Sequence, residues 1–161
     1  MTDHRNISTD EGLKDNERME QAILSLQQNP TQEMLAHALT VVRRRMQAHG
    51  QLIVAVEPLV GNQQMRLQAI QTDDGKKWWA AFTSFDEELK GGGSVMSTFL
   101  TDMEKLFVSA LSVDEIEGVI INPWNRTLML DKNLIRIIPG IGYRKNCFQE
   151  MPIKSIMIVR M

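Results

Sequence analysis

The chain is short of several things, and each shortage narrows what it does. One cysteine, Cys147, in 161 residues excludes an intrachain disulfide and fits a reducing compartment. No apolar run approaches the roughly 20 residues of a membrane span, and the opening Met-Thr-Asp-His-Arg-Asn-Ile-Ser lacks the apolar core of a signal peptide. The expectation is a cytoplasmic protein that does not engage membrane. Charge of one sign is also lacking: a formal net charge of -2 exerts no strong pull toward nucleic acid. Three histidines are few, and His37 has no second histidine, cysteine or carboxylate beside it at ligand spacing, so no metal is expected. Gly91, Gly92 and Gly93 form no phosphate-binding motif, since neither Gly-x-x-x-x-Gly-Lys-Ser/Thr nor Gly-x-Gly-x-x-Gly after a strand is present. They read as a hinge, and no cofactor is expected.

What is there centres on residues 77–85, Lys-Trp-Trp-Ala-Ala-Phe-Thr-Ser-Phe. Two adjacent tryptophans fit a strand whose faces are covered differently, and this stretch is expected to be the central one. Its companion is residues 118–123, Gly-Val-Ile-Ile-Asn-Pro, a second short apolar run closed by a breaking pair. The length suits one core and is too short for two comfortable domains.

In chain order, residues 1–15 are polar and without periodicity, which predicts a mobile arm. From Asn16, Met19, Ala22, Ile23 and Leu26 recur on one helical face up to about Gln28. Asn29 then reads as the cap of a second helix, since Pro30 suits its first position and Gln32 sits where a capping box would place it, and the stripe Met34, Leu35, Ala38, Leu39, Val42 and Met46 carries it to about Ala48. The two form a helical hairpin. A buried strand over 52–56, a half-exposed strand over 64–71 with Met65, Leu67 and Ala69 on one side, and an Asp74-Gly75 turn into the tryptophan strand make an antiparallel meander. Ser94 is the expected cap of a third helix with Met96, Phe99, Leu100, Met103, Leu106, Phe107 and Ala110 on its apolar face. Residues 118–130 read as a hairpin turning at 122–126. Asp131 caps a short helix ended by Pro139 and Gly140, and 153–159 reads as an added edge strand. The fold class is therefore α+β, a mainly antiparallel sheet of about five strands packed by helices.

Candidate chemistry gathers at the strand ends. Thr83, Ser84 and Phe85 leave the central strand, and Asn122 and Trp124 leave its companion; together they offer hydroxyls, an amide and a stacking surface for a ligand or partner. Trp78 and Trp79 are assigned to the core. Catalysis needs a nucleophile, a base and an orienting group brought together, and none of His4, His37 or His49 is delivered to Ser84 or Thr83 by the sequence. Cys147 has no histidine near it in sequence and lies beside Phe148, so no catalytic residue is assigned. Arg43, Arg44 and Arg45 close the second helix, where they offset its dipole; a nucleic-acid role would need them to join Lys76, Lys77 and Arg126 in one patch.

A helical hairpin, a meander ending in Phe82-Thr83-Ser84, a helix and then Gly-Val-Ile-Ile-Asn-Pro at 118–123 is similar to the N-terminal domain of the SseB family, named for enhanced serine sensitivity. The resemblance covers roughly residues 16–140 and implies a single domain over 16–161 with a short C-terminal extension. Similar proteins often carry a second domain, and the family name implies no reaction. The expected function is a non-catalytic binding or scaffold module whose partner is a protein or a small ligand, with a homodimer among the forms this takes. The alternative is a small-molecule enzyme using the Thr83/Ser84 strand edge.

Overall fold

A computed structural model describes residues 11–57, 66–91 and 97–138. Helix α1, Glu17–Gln28, buries Met19, Ala22, Ile23 and Leu26 at 3.6-residue spacing. Helix α2, Gln32–Gln47, buries Leu35, Ala38, Leu39, Val42 and Met46 against it. Its cap is Thr31, whose hydroxyl accepts the Met34 N–H at 3.1 Å, and not Asn29. Asn29 is already engaged as the C-cap of α1, its N–H donating to the Ser25 carbonyl at 2.9 Å. Thr31 therefore holds the first extended backbone position from which a side-chain oxygen reaches the new helix.

Strand β1, Gln51–Glu57, pairs antiparallel with β2, Arg66–Leu67, and with β5, Ser97–Asp102. The second sheet has the order β3-β4-β6-β7, built from Ala69–Gln71, Lys77–Ala81, Gly118–Ile121 and Leu128–Asp131. Its pairings are antiparallel except β4 with β6, which run parallel. A parallel neighbour needs a long crossover. Here it runs through α3, Phe85–Leu89, then β5 and α4, Met103–Leu111. The tryptophan strand is thus interior to its sheet, and the Gly-Val-Ile-Ile strand lies beside it. The short α5, Lys132–Ile137, follows β7, with Asp131 accepting the Leu134 N–H at 2.9 Å.

The architecture is α+β with a helical hairpin, and the strands divide into sheets of three and four. Gln68 is the joint. Its N–H donates to the Ala55 carbonyl in the first sheet and its carbonyl accepts from Ala80 in the second. The turn at Gln68 also changes the side-chain phase, so Ile70 is buried and Ala69 exposed, contrary to the uninterrupted Met65, Leu67, Ala69 alternation. Reciprocal 2.9 Å bonds between Ile53 and Phe82 tie the sheets a second time.

The predicted third helix is shorter than the sequence suggests. Residues 97–102 form β5, and α4 starts after Asp102, whose carboxylate accepts the Lys105 N–H. Thr98, Phe99 and Thr101 suit a strand, and pairing supplies partners for β1 backbone groups that would otherwise be buried without them. Met103, Leu106, Phe107 and Ala110 remain the buried stripe. Of the arm anticipated over 1–15, residues 11–13 form a 3-10 turn. The Ser94 cap, the Pro139-Gly140 stop, the 153–159 strand, Cys147 and His4 lie outside the described residues.

Candidate functional site at the ends of the parallel strands

Because β4 and β6 are parallel, their carboxyl ends emerge side by side, the place where open sheets with parallel strands most often receive ligands. Thr83 and Asn122 meet there. The Asn122 side-chain carbonyl accepts the Thr83 N–H at 2.9 Å, and its amide donates to the Thr83 hydroxyl at 2.9 Å. That hydroxyl donates in turn to Glu20 Oε2. Glu20 Oε1 accepts from Arg126 at 3.0 Å. Asn122 holds this position with φ +55°, a left-handed conformation that asparagine tolerates better than most residues.

A second carboxylate lies beyond Arg126. Glu87 is 2% exposed, and its Oε2 accepts from Asn125 at 3.2 Å and from Lys90 at 3.3 Å, with Arg126 Nε at 3.9 Å. Its Oε1 is buried and has no hydrogen-bond partner among the described residues. Ser84 caps α3 by accepting the Glu87 N–H at 3.2 Å. The Ser-x-x-Glu spacing predicts a capping box, but the Glu87 side chain turns to the 122–126 loop instead of back to Ser84.

On the α1 side, the Asn16 amide donates to the carbonyls of Thr83 at 3.1 Å and Gln51 at 2.9 Å. Its carbonyl accepts from Arg45 Nε at 2.9 Å, and Arg45 Nη2 reaches the Gly12 carbonyl at 3.0 Å. Burial lowers the pKa of Arg45, and the nearby Asp15 opposes that effect. Arg45 is therefore an internal latch and no part of a solvated face. Arg45 is held inside the fold and Arg126, its side chain 32% exposed, is paired with Glu20, so two of the cations a nucleic-acid patch would need already have partners.

An open groove of about 780 Å³ runs along this seam. Thr83 and Glu20 form its floor with Asn16; Leu13, Ser84 and Phe85 line it, and Glu11, Glu17, Asp86 and Lys14 add charge. Phe85 is 38% exposed, and Leu89, one turn further along α3, is 69% exposed. Of the residues proposed from sequence, Thr83, Ser84 and Phe85 line the groove, and Asn122 is buried behind Thr83. Trp124 is half-buried, and its indole lies against Gly91 and not in the groove lining.

Asn16, Glu20, Arg45, Glu87 and Arg126 carry much of the network and are missing from the sequence-based set. Glu20 and Glu87 sit in first helical turns, where a carboxylate normally signals only dipole compensation. Among the described residues no group of three or more His, Cys, Asp or Glu is placed to hold a metal ion, and no helix is long and apolar enough to cross a membrane. Comparison with family models, with curated proteins and with solved structures finds no match to the chain.

Proposed function

We propose that the chain is a non-catalytic binding or scaffold module of the SseB-like type, working in the cytoplasm, and that its groove receives a partner segment bearing apolar and cationic side chains. The observation that carries this reading is the juxtaposition on one short helix of exposed Phe85 and Leu89 with a groove whose charged lining is mostly acidic. An exposed apolar pair offers area to bury, and Glu11, Glu17 and Asp86 favour a partner carrying lysine or arginine. The Thr83 hydroxyl, by contrast, is already committed to Glu20 and Asn122, so its partners hold the groove floor in shape.

The second reading is a small-molecule enzyme using Thr83 and Ser84. Their position at the ends of parallel strands favours it. A panel of short cationic amphipathic peptides, scored by fluorescence polarisation against the full chain, separates the two. The binding reading expects salt-sensitive binders that Phe85→Ala weakens about tenfold or more while Ser84→Ala has little effect. Native mass spectrometry that finds a bound small molecule, lost on Ser84→Ala and retained in Phe85→Ala, would turn the assignment toward the enzyme.

A further inference from the structure

We propose that β5 is a self-pairing edge: two copies of the chain join β5 to β5 antiparallel about a twofold axis at Phe99, making one continuous sheet across a dimer. Strand parity carries the proposal. Ile53 exchanges both of its backbone bonds with Phe82, on the side of β1 away from β5. The Ala55 carbonyl likewise faces away, toward Gln68. The residues opposite them, Leu100 and Thr98, are therefore the non-hydrogen-bonded members of the β1–β5 ladder, and their N–H and C=O groups point outward from the sheet. Among the described residues no strand lies beyond β5.

Natural edges are usually blunted by lysine, proline, bulges or inward-pointing charge. The strand Ser97-Thr-Phe-Leu-Thr-Asp has none of the first three along its body, and its one charged residue, Asp102, is at the end, where it caps α4. Phe99, at the middle, is 47% exposed. A twofold at Phe99 places Thr98 opposite Leu100 of the second copy, twice, so that the outward donors and acceptors of both residues meet. Phe99 then faces its own copy in a non-hydrogen-bonded pair, the arrangement in which cross-strand side chains approach most closely. Ser97 faces Thr101, hydroxyl to hydroxyl. The two Asp102 carboxylates fall at opposite ends of the paired strands, so like charges do not oppose. The fit is self-complementary and closes at two copies, which argues for a second copy over an unrelated strand.

Sedimentation velocity on the full chain over a concentration series, with hydrogen exchange read at the Thr98 and Leu100 amides, tests the proposal. The expected result is a concentration-dependent dimer in which both amides are protected. Phe99→Lys, at an exposed position and placing two ammonium groups opposite each other, is expected to be folded by circular dichroism, monomeric, and faster exchanging at both amides by about tenfold or more. A chain monomeric at every concentration overturns the proposal, whether its amides exchange freely or are protected by another segment of the same chain. So does a dimer that survives Phe99→Lys with both amides unprotected. Peptide binding in the groove is read separately, so loss of one result leaves the other standing.

Discussion

Thr83 and Asn122 are joined twice across the parallel β4–β6 junction, backbone N–H to side-chain carbonyl and side-chain amide to hydroxyl, each at 2.9 Å. A buried pair of this kind is costly to half-remove, because the surviving partner is left unsatisfied. Thr83→Val is expected to destabilise by about 1–3 kcal/mol. Asn122→Ala loses both bonds and also places alanine at φ +55°, so about 2–5 kcal/mol is expected. Urea denaturation of the double variant should show a coupling of about 0.5–3 kcal/mol. Strict additivity would show that the two side chains do not act together.

Arg44 and Arg45 are neighbours in sequence with different expected costs. Arg45→Met strands the Asn16 carbonyl and releases the Gly12 carbonyl, for about 1–3 kcal/mol. Arg44→Met, at an exposed position, is expected to stay within about 0.5 kcal/mol of the parent. Limited proteolysis near Glu11–Leu13 should accelerate in the Arg45 variant and not in the Arg44 variant, since of the two it is Arg45 that donates to the Gly12 carbonyl.

Two glycines are needed for different reasons. A Cβ at Gly118 would run into the Leu130 carbonyl oxygen across the β6–β7 pair, so Gly118→Ala is expected to cost about 3 kcal/mol or more or to abolish folding. At Gly75 a Cβ meets open space, but φ is +85°, and Gly75→Ala is expected to cost about 1–2 kcal/mol through backbone conformation alone. Thermal unfolding of the two variants should show the larger shift for Gly118; the reverse order would contradict the assigned pairing.

Asp74 organises the β3–β4 turn, accepting from the Thr72 hydroxyl at 2.6 Å and the Lys76 N–H at 3.1 Å. The Thr72 bond, then the Lys76 N–H, hold its carboxyl below the ordinary aspartate value. A carboxylate depressed in the folded state stabilises above its unfolded pKa and loses that contribution as pH falls through its folded pKa. The stability difference between the parent and Asp74→Asn should therefore be constant near neutral pH and shrink as the pH drops below about 4. A difference independent of pH would assign the turn to the backbone alone.

Elements whose pattern is local were legible in the sequence. The Met19, Ala22, Ile23, Leu26 stripe, the Leu35 to Met46 stripe, the Asp74-Gly75 turn and the Asp131 cap all appear as read, because each depends on neighbours within a few positions. The 97–102 segment does not. Its residues satisfy a helical stripe about as well as a strand, and the need of β1 for a hydrogen-bonding neighbour decides between them. Thr83, Ser84 and Asn122 were legible as strand-end polar groups, whereas Glu20 and Glu87 were not, since each joins a cluster 38 or more positions away in the chain.

By itself the sequence determined an α+β protein with a helical hairpin, a tryptophan-bearing interior strand and polar groups collected at its exit. These follow from periodicity, breaking residues and side-chain bulk. Only the tertiary structure decided that β4 and β6 run parallel, that the chain turns between two sheets at Gln68, that Arg45 faces inward, and that among the described residues β5 is the last strand of its sheet. Each depends on which backbone and side-chain groups remain to be satisfied once distant segments pack, and that is set by the whole arrangement and not by any window of sequence.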